Sequence, residues 1–85
     1  MAADQTEVLL VSAPDCHLCE RAMEVLARLS KEPFRELSWS SEEGHLLVSR
    51  DGVPFPPAVY IDGSLAAYGR VSERGLRRKL EKRSP

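Results

Sequence analysis

Cys16 and Cys19 are the two cysteines of the chain, and only His17 and Leu18 separate them. Thiols at that spacing can act in succession on one disulfide. A thiolate attacks a disulfide sulfur and leaves a mixed disulfide. A second thiol one helical turn on can then displace the product. Cys16 follows an apolar run and opens a helical period, where unpaired backbone N–H groups and the positive dipole end favour a thiolate. That placement lowers a cysteine pKa below its free value of about 8.5. Cys16 is therefore the candidate nucleophile and Cys19 the candidate resolving thiol. Asp15 and His17 flank the nucleophile as candidate modulators of its pKa: a protonated imidazole favours the thiolate, a carboxylate opposes it.

Other uses of the pair fit less well. Half of a zinc site could begin with Cys16 and Cys19, with His17 as a third ligand. Structural zinc takes four ligands, and the other histidine, His45, falls on a separate predicted element, so no metal site is expected. A staple across so small a loop stabilises little. A disulfide-dense secreted scaffold would carry four or more cysteines.

The elements that must hold this pair can be read from periodicity. Val8 to Ser12 is a continuous apolar run, predicting a buried strand covered on both faces. Ala13-Pro14-Asp15 breaks it. From Cys16 a helix is predicted, with Leu18, Ala22, Val25, Leu26 and Leu29 on one side and Glu20, Arg21, Glu24 and Arg28 on the other. Pro33 is its predicted stop. Residues 34–40 form a weaker strand pattern around Phe34, Leu37 and Trp39. Residues 41–50 predict a short helix with Ser40 or Ser41 as N-cap and acids in its first turn. After Val53-Pro-Phe-Pro-Pro57 comes Ala58 to Ile61, a β-branched and aromatic strand. Asp62-Gly63 is a hairpin signal, with Ser64 to Tyr68 as the return strand. Ser72 can cap a last helix whose apolar stripe is Leu76 and Leu80. The order is β-α-β-α-β-β-α, which predicts an α/β fold: one four-stranded mixed sheet flanked by three helices.

Eighty-five residues make one domain, 1–85, with its core over about 7–82. The polar, acidic N-terminus carries no secretory pattern, and no apolar run approaches a membrane span. A cytoplasmic monomer that binds no membrane is expected. Net charge is −1, unevenly divided: residues 1–69 hold five basic and eleven acidic side chains, and residues 70–85 hold seven basic and two acidic. The basic end suits the C-terminal dipole of its own helix. It also suits an acidic partner, or an anionic substrate near Arg70. No aromatic interleaves with the basic run, so a nucleic-acid partner is not expected.

Strand, C-x-x-C, helix, and later a proline leading into a strand together resemble the thioredoxin superfamily in its glutaredoxin form. The chain is similar to the glutaredoxin-like group with Cys-His-Leu-Cys followed by an acidic residue, and with a later Pro-x-x-x-x-Asp-Gly, here Pro57-Ala-Val-Tyr-Ile-Asp-Gly63. The resemblance spans about residues 7–82. It implies a cis-proline at Pro57 packed near the cysteines, and a preceding residue, Pro56, that pairs its backbone with substrate. Pro56 has no N–H, so one of the two usual bonds is missing; a register with Pro56 cis and Phe55 pairing would restore it. Glutathione-using relatives carry a basic residue three before the first cysteine and an aromatic between the two, where this chain has Ala13 and Leu18. Their Gly-Gly-x-Ser-Asp turn, which holds the glutamyl end of glutathione, is similar to Gly69-Arg-Val-Ser-Glu73, with Arg70 in place of a glycine. Ser72 and Glu73 are thus candidate substrate-binding residues, and Ser72 is equally an ordinary N-cap.

The expectation is a thiol–disulfide oxidoreductase with no tightly bound cofactor and with glutathione as a candidate co-substrate. Its partners would be disulfide-containing proteins or small thiols. The alternative is a non-catalytic module of the same fold that holds a metal or an iron–sulfur cluster or docks a protein.

Overall fold

The computed structural model describes residues 7–29 and 34–82. The reading of the first six residues and the helix stop at Pro33 lie outside the described residues. Seven elements follow in order: β1 (Val8–Ser12), α1 (His17–Leu29), β2 (Arg35–Ser38), α2 (Glu42–Arg50), β3 (Ala58–Ile61), β4 (Ser64–Tyr68) and α3 (Glu73–Lys82). They build one mixed sheet in the order β2-β1-β3-β4. β1 runs parallel to β2, and β3 antiparallel to both β1 and β4.

β1 is buried along its whole length, as its unbroken apolar run requires. Successive side chains of a strand point to opposite faces, and the core divides accordingly. Val8 and Leu10 join Val25 and Leu26 of α1, Val59 and Ile61 of β3 and Leu76 of α3 in one cluster. Leu9 and Val11 join Val48 of α2 with Ala58 and Tyr60 in the other. α1 and α3 thus cover one face and α2 the other. β1 is the strand both clusters share with β3, and its C-terminal end carries the cysteine loop.

β3 and β4 are joined by Asp62 and Gly63, both at positive φ (52° and 83°). That is the two-residue turn whose twist matches a hairpin. Asp62 is tied back to the start of β1: its N–H donates to the Glu7 carbonyl (2.8 Å), and its carboxylate accepts from the Glu7 N–H (2.9 Å).

β2 is shorter than the pattern over 34–40 suggests. The chain leaves the strand at Ser38, where the Trp39 N–H donates to the Ser12 carbonyl (2.6 Å) and the Ser41 N–H to the Ser38 carbonyl (3.1 Å). Ser41, not Ser40, is the N-cap of α2, its hydroxyl accepting from the Gly44 N–H. α1 likewise begins at His17, one residue later than the apolar period, and Cys16 caps it.

Candidate functional site

The loop from β1 into α1 is short and bent. Asp15 takes a left-handed conformation (φ 54°) immediately before Cys16, a region an aspartate enters more readily than most residues. The chain then enters α1 with the Cys16 carbonyl accepting from the Glu20 N–H (3.1 Å). Cys16 and Cys19 form a disulfide, with their Cα atoms 5.1 Å apart. The Cys19 N–H, one of the unpaired donors of the first helical turn, points at the Sγ of Cys16 (3.1 Å). The two residues differ in access: Cys16 is part-exposed and Cys19 is 3% exposed.

The flanking residues take separate places. The His17 side chain is wholly exposed, its Nδ1 3.8 Å from the Glu20 carboxylate. Asp15 is exposed on the turn. Among the described residues no group of three His, Cys, Asp or Glu side chains is arranged to hold a metal ion.

The proline segment arrives from the sheet. Val11 of β1 pairs with Ala58 of β3, so the residues after β1 and those before β3 emerge at one end of the sheet. The Pro56–Pro57 peptide bond is cis, and Pro57 is fully buried. The Pro57 carbonyl accepts from the Gly69 N–H (2.8 Å), which brings the chain after β4 to the same end. Gly69, at φ 70°, lies under the Phe55 ring, and a Cβ there would come within 2.9 Å of it. Phe55 in turn meets Tyr68 edge to face, centroids 6.0 Å apart, and both rings are about half exposed.

A groove of about 650 Å³ opens between α1 and the segment that leads into α3. Its walls are His17, Leu18, Glu20, Arg21, Glu24, Val25 and Arg28 on one side and Arg70, Val71, Ser72 and Glu73 on the other. Ser72 is the N-cap of α3, its Oγ accepting from the Gly75 N–H (3.1 Å). Glu73 accepts from Arg28 Nη2 (2.7 Å) and Nε (3.2 Å), and from Arg77 Nη2 (3.3 Å). The Arg28 guanidinium holds the Glu73 carboxyl below its ordinary range.

Ser72 and Glu73 therefore line the same groove as His17. Their polar atoms, however, are engaged by the protein itself. Pro56 is half-buried and outside the groove walls. Sequence reasoning missed Arg21 and Arg28 as groove residues. The available signal was their spacing with His17, Glu20 and Glu24, which recurs at three- and four-residue steps along one helix face.

No family model matches the chain, and no curated protein sequence matches it. Solved structures do. Glutaredoxin C1 from Populus tremula x tremuloides, solved in its holo form, aligns with a TM-score of 0.69 at 21% identity, over 95% of this chain and 78% of that one. The C-terminal domain of Neisseria meningitidis DsbD, in its oxidised form, aligns at 0.64 and 23% identity, over 95% and 82%. Glutaredoxin 1 from Francisella tularensis, complexed with cacodylate, aligns at 0.61 and 13% identity, over 92% and 95%. With the mixed four-stranded sheet, its three helices and the Cys16–Cys19 pair, these likenesses show that the chain has the thioredoxin/glutaredoxin fold.

Proposed function

We propose that the chain is a thiol–disulfide oxidoreductase that works through Cys16 as nucleophile and Cys19 as resolving thiol. The observation that carries this reading is the asymmetry of the pair. Both cysteines sit at the N-terminus of α1, but Cys16 is part-exposed where Cys19 is buried, and the Cys16 sulfur receives the Cys19 N–H. A negative sulfur at that position would keep this bond in charge-assisted form.

Starting from the reduced pair, the Cys16 thiolate attacks one sulfur of a substrate disulfide. The substrate S–S bond breaks, its other sulfur leaves as a thiolate and takes a proton, and Cys16 is left in a mixed disulfide. Cys19 then loses its proton and attacks the Cys16 sulfur. The second substrate thiolate leaves and is protonated, and the Cys16–Cys19 disulfide forms. Two electrons have passed to substrate. A small thiol or a protein dithiol returns them to the pair, and the same steps run backwards oxidise a dithiol substrate. The chemistry requires no bound cofactor.

Pro56, Pro57 and the groove of Ser72 and Glu73 are proposed to receive substrate. The reading covers disulfide-containing proteins and small thiols as partners of a cytoplasmic monomer. Glutathione is the weaker of the two classes here, because Arg28 and Arg77 already occupy the carboxylate that would meet its glutamyl ammonium. The test is reduction of two substrates, a peptide disulfide and a glutathione mixed disulfide, by the dithiothreitol-reduced and desalted protein. Stoichiometric reduction, up to one disulfide per protein, that Cys16→Ser removes supports the reading. A wild-type protein that reduces neither substrate overturns it.

A further inference from the structure

We propose that Arg21 and Arg70 form a carboxylate clamp in the groove beside the Cys16–Cys19 disulfide, and that the clamp selects protein substrates with an acidic residue two or three positions from the reacting cysteine. The proposal rests on the oxidoreductase reading above and specifies its substrate class.

The charges of the groove are not equally committed. Glu73 is taken by Arg28 and Arg77. Glu20 faces His17. Arg21 and Arg70 lie on opposite walls, and neither enters any hydrogen bond or ion pair formed among the described residues. The cation that holds Glu73 by hydrogen bonds is Arg28; Arg21 only adds to the positive field there. Two planar guanidiniums from different elements, unclaimed and lining one concavity, match a carboxylate better than any neutral group.

Dimensions favour a polypeptide segment. The α1 wall runs from His17 to Arg28, roughly 16 Å at the rise of an α-helix. That length accepts about five residues of extended chain. Arg21 lies five positions after Cys16, roughly 7 to 8 Å along the helix, which is the span of two to three extended residues. A side-chain carboxylate at that distance from the substrate cysteine would reach the clamp while its disulfide meets Cys16. The clamp acts on binding alone; electron transfer stays with the cysteines.

The experiment uses peptide disulfides of one length that carry Glu, Gln or Lys at the second and third positions from the cysteine. Their reduction is followed with the wild type and with Arg21→Gln, Arg70→Gln and the double variant, and the glutathione mixed disulfide is measured alongside. The wild type should favour the Glu peptide over the Gln peptide about fivefold in kcat/KM, the order expected of two partly exposed charge pairs. The preference should lie in KM, shrink when ionic strength rises from about 0.01 M to about 1 M, fall toward unity in the double variant, and return in part with Arg70→Lys. Equal kcat/KM for the Glu and Gln peptides in the wild type overturns the clamp, as does a preference that survives in the double variant. Arginine dependence seen only with the glutathione mixed disulfide overturns the assignment to a protein segment. In each of these cases the Gln peptide is still reduced through Cys16, whereas loss of all exchange would be a failure of the oxidoreductase reading instead.

Discussion

The Cys19 N–H donates to the Cys16 sulfur across 3.1 Å, so the residue that carries the second thiol also supports the first through its backbone. A Cys19→Ser change removes the thiol but keeps that donor. We expect the variant to react with disulfide substrates at a nearly normal first step and then to stall as a mixed disulfide on Cys16. Mass spectrometry after mixing with a peptide disulfide reads this directly. An equal final yield of released product in variant and wild type would rule out resolution by Cys19.

Arg28 and Glu73 link α1 to α3 across 45 positions of sequence. The folded state holds the Glu73 carboxyl below its ordinary value of 4.5. A depressed carboxyl pKa contributes stability that is present above the unfolded value and is lost as pH falls through the folded one. Acid titration of stability should therefore show a drop beginning near pH 4.5 that Arg28→Ala reduces, with Arg77 keeping part of it. Parallel curves for the two proteins would show that the pair plays no part in acid sensitivity.

Tyr60 makes the opposite prediction at high pH. Burial pushes its phenol up to about 12, and the Asp51 carboxylate beside it opposes ionisation further. The hydroxyl nevertheless lacks a hydrogen-bond partner of ordinary geometry. A raised pKa gives stability that is complete below the unfolded value of 10.0 and disappears as pH rises toward about 12. Tyr60→Phe should weaken that alkaline loss and, by removing an unpartnered buried hydroxyl, raise stability at neutral pH by up to about 1 kcal/mol. Denaturant midpoints at pH 7 and across the alkaline range check both parts. Destabilisation at neutral pH would mean that the hydroxyl is satisfied after all.

Gly44 shows where propensity and packing disagree. In an exposed helix, Gly→Ala stabilises by about 1 kcal/mol. Here the Ser38 carbonyl oxygen lies where the new Cβ would go, and the capping Ser41 Oγ is 2.9 Å from it. Overpacking costs about 1–3 kcal/mol, and a disturbed N-cap about 1 kcal/mol. Gly44→Ala should thus destabilise by about 1–3 kcal/mol, with the sign reversed from the helix rule. Thermal unfolding decides it, and a rise in midpoint would mean that β2 and α2 separate easily.

β1, β3 and β4 were legible in the sequence to the residue because each signal was local: an unbroken apolar run, a β-branched run and an Asp-Gly turn. β2 was not, since it is an edge strand on which Arg35, Glu36 and Ser38 are exposed and only Leu37 turns partly inward. Such a strand is specified by its register with β1 more than by its own pattern. The cysteine pair was equally plain, because its spacing and its place after a strand carry the chemistry. The groove was not. Glu20, Arg21, Glu24 and Arg28 read as a solvated helix face, and nothing in residues 17–28 announces that residues 70–73 will come to lie against them.

Val11 pairs with Ala58 across 46 intervening residues, whereas the β3–β4 hairpin closes over two. Turns of that kind form within microseconds, but a contact between distant segments must first meet the entropy of a long loop. The cysteine loop belongs to the early half of the chain, and Pro57 and the wall from Arg70 to Glu73 belong to the late half. Either half can acquire local structure before they meet. Only their docking along β1 and β3 turns two thiols on a helix end into a site with walls, so any substrate preference those walls confer would be absent until the two halves have met, and its appearance during refolding would time that meeting.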